Sequence, residues 1–390
     1  MVECYAYEHF SQPAKGLRWC ARESHDNVAN RGDRKEAGMF HLLLATCLAD
    51  DPAICAERLL PAAESATQDE CHRKAEPIAR DWLARHPELK GGEARCVETP
   101  NLPMLGIQEI ADGVYVHQGA MEQSSVRNQG RIANLAFVVG DTVAVIDAGG
   151  SRAEGEALFA AIRSVTDKPV SHLILTHMHP DHIFGAEVFA EAGASIVANA
   201  KLPDAVARRA DAWMFSFPAQ IGKTAFLGTH IAPVDQKVDA PMTISLGPTE
   251  LQLRPQPSGH TDNDMTVFDS ASATLFTGDL VFLGLTPSLD GSLANWIGWL
   301  EAGPPDPAPA LIVPGHGPVT ESWDEATLPV ANYLRALRDA ARKAVAGGMA
   351  LSQAIPAITA MMKPYSEGWA DFTPTTARNA ATSFSQLEWE

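Results

Sequence analysis

His177, His179, Asp181 and His182 crowd into the stretch LILTHMHPDHIFG at 173–185. Imidazole nitrogens and carboxylate oxygens are donors that zinc takes, at ~2.0–2.2 Å and with a position left for water. Three further donors stand alone elsewhere: His260 in SGHTDND, Asp279 in TLFTGD and His316 in ALIVPGHG. Each follows a short apolar run, as the first cluster does. The pattern predicts two metal positions. His177, His179 and His260 converge on one ion, Asp181, His182 and His316 on a second, and Asp279 bridges them. Two ions ~3.5–4 Å apart can share a hydroxide and clamp both the attacked oxygen and the leaving group. Asp181 is also placed to accept or shuttle the hydroxide proton, and no protein nucleophile is required. A lone histidine at a strand end is ordinarily a hydrogen-bonded loop residue, but seven donors in this order are hard to explain that way.

The elements that must hold these donors are legible around them. GVYVHQG at 113–119 alternates like a strand, and the apolar runs of 132–150 flank Gly140-Asp141 as a hairpin would. Helices are expected over 154–165 and 186–193, with a strand over 172–176 leading into the histidine cluster. Residues 211–226, rich in aromatics, read as an irregular lid. A hairpin follows over 242–246 and 250–257, then short strands at 265–269 and 274–277 and a buried strand at 310–317. Helices are expected over 326–348, over 351–362 with Pro356 interrupting, and over 373–387. They pack on the sheets, form a dimer contact or dock a partner. Trp213, Lys223, Asn295 and Trp296 are candidates for substrate binding, and Arg127 and Arg131 for meeting an anionic group. Ordinary packing or solvation is the competing role for each.

Of the 390 residues, 46% are apolar and 20% charged, as in an ordinary globular protein. The net charge of −18 repels phosphate backbones, which argues against nucleic acid as a partner. No apolar run approaches the ~18–20 residues of a membrane span. All six cysteines (Cys4, Cys20, Cys47, Cys55, Cys71, Cys96) precede residue 97. The last four fall in a segment too small to bury much core. Two disulfides in an oxidising compartment and four reduced thiols are both open. MFHLLLATCLAD at 39–50 reads as a signal-peptide core, or as a strand or helix of the cysteine segment. These breaks divide the chain. Residues 1–38 are an N-terminal extension, not native or disordered, and 39–100 a cysteine-rich segment. Residues 101–325 are a catalytic domain, and 326–390 are C-terminal helices packed on it.

The set THMHPDH, SGH, TGD and PGHG resembles the metallo-β-lactamase fold superfamily. The resemblance implies an α/β fold: an αββα sandwich with the metals at one edge between two sheets, here with the small cysteine-rich segment in front. VIDAGG at 145–150 also matches, and implies that Asp147 sits behind a ligating histidine. The zinc β-lactamases carry cysteine or serine where this chain has Asp279, so the site is more similar to thioester hydrolases of the glyoxalase II type. From residue 39 to 390 the chain resembles the SoxH-related quinoprotein relay system zinc metallohydrolases, which again points to Met39 as a natural start. That group is associated with PQQ-dependent dehydrogenases and cytochrome partners in bacteria. The implied protein is a hydrolase with two zinc ions per chain, whose bound hydroxide attacks an ester, thioester or lactone carbonyl of a small molecule. Its expected location is the periplasm, with the cytoplasm as the alternative. Competing readings are iron or manganese in place of zinc, a mononuclear iron persulfide dioxygenase, a β-lactamase-type amide hydrolase, and a non-catalytic metal-binding accessory of a quinoprotein system.

Overall fold

The computed structural model describes residues 38–389. Residues 1–37 of the N-terminal extension, with Cys4 and Cys20, lie outside the described residues, as does Glu390. The apolar run at 39–50 is strand β1 (Phe40–Leu48), paired antiparallel with β2 (Cys55–Ser65) and β3 (Leu89–Glu98). Helix α1 (Gln68–Arg85), capped by the Thr67 hydroxyl, packs on this sheet through Cys71, Ala79 and Trp82. Cys47 is bonded to Cys55, its cross-strand partner, and Cys71 to Cys96. The strand reading of 39–50 and the disulfide reading of the four cysteines are the ones the structure adopts.

From residue 108 the chain builds two further sheets. The first has seven strands, ordered in space as in sequence. They are β4 (Gln108–Ala111), β5 (Val114–His117), β6 (Leu135–Val139), β7 (Val143–Ile146), β8 (Val170–Leu175), β9 (Ser195–Asn199) and β10 (Gln236–Val238). Pairings up to β7 are antiparallel, and those from β7 to β10 are parallel. Parallel neighbours need crossovers. These carry α2 (Arg152–Val165), α3 (Pro180–Ile183), α4 (Ala186–Glu191), α5 (Leu202–Ala207), α6 (Ala210–Ile221) and α7 (Lys223–Phe226). The other sheet runs β11 (Met242–Ser245), β12 (Glu250–Pro255), β13 (Met265–Asp269), β14 (Thr274–Phe282) and β15 (Leu311–His316). Helices α8 (Leu293–Glu301), α9 (Trp323–Ala346), α10 (Leu351–Met362) and α11 (Phe372–Leu387) complete the chain.

Period-two alternation turns one face of each large sheet toward the other. Val116, Val138 and Ile146 of the first meet Leu251, Leu253 and Phe276 of the second in one buried cluster. Helices α2 and α4 cover the outside of the first sheet, and α8–α11 the outside of the second. The result is an αββα sandwich. Burying each such side chain stabilises it by roughly 1.5–3 kcal/mol. Among the described residues no helix is long and apolar enough to cross a membrane.

Three expectations change. Residues 211–226 are helical, in α6 and α7, rather than irregular. Pro218 lies inside α6, and its run of aromatic and apolar residues hides the helical period. Strand β14 runs on to Phe282 rather than stopping at Thr277, and its pairing with β15 breaks register around Gly278. Pro356 lies within α10 without interrupting it.

Arg152 ties the cysteine-rich sheet to the sandwich. Its buried guanidinium donates to Glu156 (2.9 Å), Glu187 (3.1 Å), Glu191 (2.7 Å) and the Leu59 carbonyl of β2 (3.0 Å). The Trp82 ring of α1 lies 4.8 Å from it, and the Trp82 indole N–H also donates to Glu191. Removing the cation takes the shared guanidinium from three buried or nearly buried carboxylates, leaving Glu156 with Arg58 at 3.7 Å, Glu187 with His86 at 3.2 Å and Glu191 with the Trp82 N–H. Arg152→Met is therefore expected to cost about 3–5 kcal/mol, read from urea unfolding. A loss under about 1 kcal/mol would show that the network does not hold the two parts together.

Candidate metal centre

All the donor segments reach one edge of the sandwich. His177 and His179 follow the end of β8, the first in a bend and the second in extended backbone. His179 is the N-cap of α3, a single turn with Pro180 at its first position. Proline suits that position because its missing N–H has no helical partner. The turn separates Asp181 and His182 from the pair before them. His260 lies on the loop after β12, Asp279 within β14, and His316 ends β15. Donor atoms of His177, His179, His260 and Asp279 lie within 4.8 Å of one another, and so do those of Asp181, His182 and His316. Asp279 touches both groups, 3.3 Å from His260, 3.7 Å from His177, 3.2 Å from His182 and 3.3 Å from His316. Two glycines make room for it. A Cβ at Gly315 would stand 1.9 Å from Asp279 Oδ1. Gly278 has φ +50°, and a Cβ there would meet Thr176 Oγ1 at 2.7 Å.

Hydrogen bonds set the tautomer of every ring. His182 Nδ1 donates to Asp147 Oδ2 (2.8 Å), His260 Nδ1 to the Ser288 carbonyl (2.6 Å) and His316 Nδ1 to the Ile132 carbonyl (2.8 Å). The Thr176 hydroxyl donates to Asp147, so it accepts from His177 Nδ1 at 3.0 Å. These four rings turn Nε2 inward, toward the Asp279 and Asp181 carboxylates. His179 is reversed. Its Nε2 faces the Asp290 carboxylate at 3.4 Å, and its Nδ1 faces His260 Nε2 at 2.8 Å. Two ring nitrogens so close must share a proton or a cation. Buried His177 Nε2 has no hydrogen-bond partner, and buried His182 Nε2 and Asp279 Oδ1 have only each other, at 3.2 Å. Such orphans are expensive in a protein interior. Five inward ring nitrogens and two carboxylates fit divalent metal ions, by the chemistry of the donors alone.

A model of the metallo-beta-lactamase superfamily matches residues 129–340, more than half of the chain. The chain belongs to the metallo-beta-lactamase superfamily. Among solved structures it is similar to the stereoselective inverting sec-alkylsulfatase Pisa1 from Pseudomonas sp., at 16% identity and a TM-score of 0.54. That match covers 72% of this chain and 50% of the sulfatase, so the chain spans half the sulfatase's length. It is also similar to a metallo-beta-lactamase from Pontibacter korlensis, at 20% identity over 60% of this chain and 99% of that one, with a TM-score of 0.47. At these identities the likeness is one of fold.

Asp147, from VIDAGG, lies behind the His182 ring. Its carboxylate holds His182 and takes the Thr176 N–H and hydroxyl, each at 2.8 Å. Other candidates lie elsewhere. Trp296 is fully buried behind His260, ring centroids 5.5 Å apart, with its N–H on the Leu280 carbonyl. It walls in a histidine and is not open to a substrate. Trp213 is half-buried and packs edge-on to Phe184. Lys223 borders a separate cleft with Glu88 and His230, whose lining includes none of the seven donors. Asn295 is exposed in the first turn of α8, and Arg127 is exposed and paired with Glu122. The bond of Asp290 to His179 joins positions far apart in the chain. Asn134 was not legible in the sequence. It is buried and donates to the Pro314 and Gly317 carbonyls on either side of His316.

Burial keeps His177 well below the ordinary imidazole range and lowers His260 to about 3, so both are neutral donors at pH 7. Burial acts the same way on His182 and His316. There it is outweighed by Asp279, with Asp147 and Asp181 adding at His182 and Asp181 at His316, and both are raised. Raised groups hold protons near neutrality that a metal must displace. Zinc entering the Asp181, His182 and His316 group is expected to release protons at pH 7, and its affinity there to rise with pH. His177 and His260 release none. Titration calorimetry in buffers of different ionisation heat reads this directly, and heats independent of buffer would contradict it.

Proposed function

We propose that this protein is a dinuclear zinc hydrolase of an ester, thioester or lactone carbonyl. The observation that carries the reading is Asp279. A carboxylate shared by two histidine groups suits a bridging ligand. In this reading His177, His179 and His260 hold one ion and Asp181, His182 and His316 the other. Zinc bound there supplies a Lewis acid and brings the pKa of a coordinated water toward neutrality. The chain's own part is orientation and proton handling. Asp147, Ser288, Ile132 and Asp290 keep the rings turned inward through the bonds described above. Asp181, partly exposed at the edge of the site, takes the proton released as water attacks. General-base roles of this kind contribute typically ~10²–10⁴-fold.

The finer assignment rests on the resemblance of 39–390 to the quinoprotein relay metallohydrolases. It makes the enzyme an accessory of a PQQ-dependent dehydrogenase system. The Cys47–Cys55 and Cys71–Cys96 disulfides support an oxidising compartment, and so the periplasm. A mononuclear iron persulfide dioxygenase draws on the grouping of Asp279 with His177, His179 and His260.

Elemental analysis of the purified protein, with turnover of S-D-lactoylglutathione and an aryl ester, separates the two. About two zinc ions per chain with hydrolysis is the expected result. Asp181→Asn is expected to cut kcat by about 10²-fold or more while the protein stays folded. One iron, oxygen uptake with a persulfide and no hydrolysis would overturn the reading.

A further inference from the structure

The segment between β14 and α8, residues 283–292, runs behind the His177, His179 and His260 group. It fixes two of those ligands from outside. The Ser288 carbonyl takes His260 Nδ1–H at 2.6 Å, and the N–H groups of Asp290 and Gly291 donate to the His260 carbonyl at 2.9 and 2.7 Å. The Asp290 carboxylate takes His179 Nε2–H at 3.4 Å and is itself held by Arg209 at 3.1 Å. One short stretch therefore orients rings that come from two different strand ends.

That stretch has no helix or strand of its own, apart from a single bridge between Leu285 and Ala370. The last helix holds it instead. Asn379 of α11 is 1% exposed and directs its amide at the loop. Its Oδ1 accepts from the Leu289 N–H at 2.9 Å, and its Nδ2 donates to the Pro287 carbonyl at 2.7 Å and to Tyr333 Oη at 2.9 Å. Two turns further on, Gln386 accepts from the Leu293 N–H at 3.0 Å and donates to the Gly291 carbonyl at 2.7 Å. The two amides thus grip the loop on both sides of Ser288 and Asp290.

We propose that α11 is a working part of the first metal position, with Asn379 and Gln386 as positioning residues that hold Pro287–Gly291 and, through it, the rings of His260 and His179. This rests on the ligand assignment proposed above. The plainer role for the C-terminal helices is to cover the apolar outer face of the second sheet. The two roles differ in what a lost amide does. A covering helix loses stability alone. A positioning helix loses metal affinity at one group of ligands and not at the other, because outer partners of metal ligands tune affinity.

Cobalt(II) titration in two backgrounds tests this. His316→Ala weakens the second group and leaves His177, His179 and His260 intact. His260→Ala does the reverse. In the first background Gln386→Ala and Asn379→Leu are each expected to weaken cobalt binding about 10–100-fold and to shift its visible absorption bands. In the second background they are expected to change affinity by no more than about twofold. Gln386 is only half-buried, so its variant carries the test should Asn379→Leu fail to fold. Unchanged affinity and spectrum in the first background would overturn the inference, and so would equal weakening in both. No cobalt binding by either background or by the parent protein would overturn the ligand assignment, and the inference with it.

Discussion

Asp279 is a buried carboxylate with four imidazoles within 3.7 Å. A charge of this kind cannot be left uncompensated in a protein interior. The surrounding histidines hold it well below the usual carboxylate range, against the opposing effect of burial. Yet those rings, when neutral, are locked in tautomers that offer it a lone pair rather than a proton. The arrangement is consistent only when cations join it, either protons on His182 and His316 or metal ions in their place. Much of the fold around this edge can be understood as meeting that condition. Two sheets bring their ends together, Gly278 and Gly315 clear space, and the donor side chains arrive from four separate segments.

Behind the ligands lies a layer of fixed acceptors. Asp147 sits at φ +59°, at the end of β7, a backbone conformation that an aspartate tolerates better than most residues. From there it bonds both His182 and Thr176, and Thr176 in turn faces His177. The Ile132 and Ser288 carbonyls set His316 and His260. The sheets supply rigidity, since β7, β8, β14 and β15 are buried nearly throughout. Outer acceptors of this kind raise ligand basicity and hold ring orientation. The donor set is organised by the protein before any ion arrives.

Much of this was legible in the sequence, for a physical reason. Buried strands read as apolar runs, so a polar residue that ends one stands out. His177 and His316 were visible in that way, as were the hairpin at Gly140-Asp141 and the helix at 154–165, while His260 lies on a loop five residues past β12. Asp279 was expected where a strand stops, but β14 continues past it through a register break that no local pattern announces. Helix α6 was hidden by Pro218 and by its crowded aromatics. Trp296 looked available because the sequence carries no depth, and it is a buried wall of His260. The disulfide partners could not be assigned from spacing, since four cysteines allow three pairings. Asp290, Asn134 and Asn379 act across long sequence separations, and contacts of that kind leave no local trace.

The central claim is that one carboxylate serves two metal positions built from separate histidine groups. Anomalous diffraction from crystals of the zinc-loaded protein, recorded at the zinc edge, tests it most directly. The account predicts two peaks, one against His177, His179 and His260, the other against Asp181, His182 and His316, with Asp279 reaching both. A single peak, or a second peak away from Asp279, would contradict it.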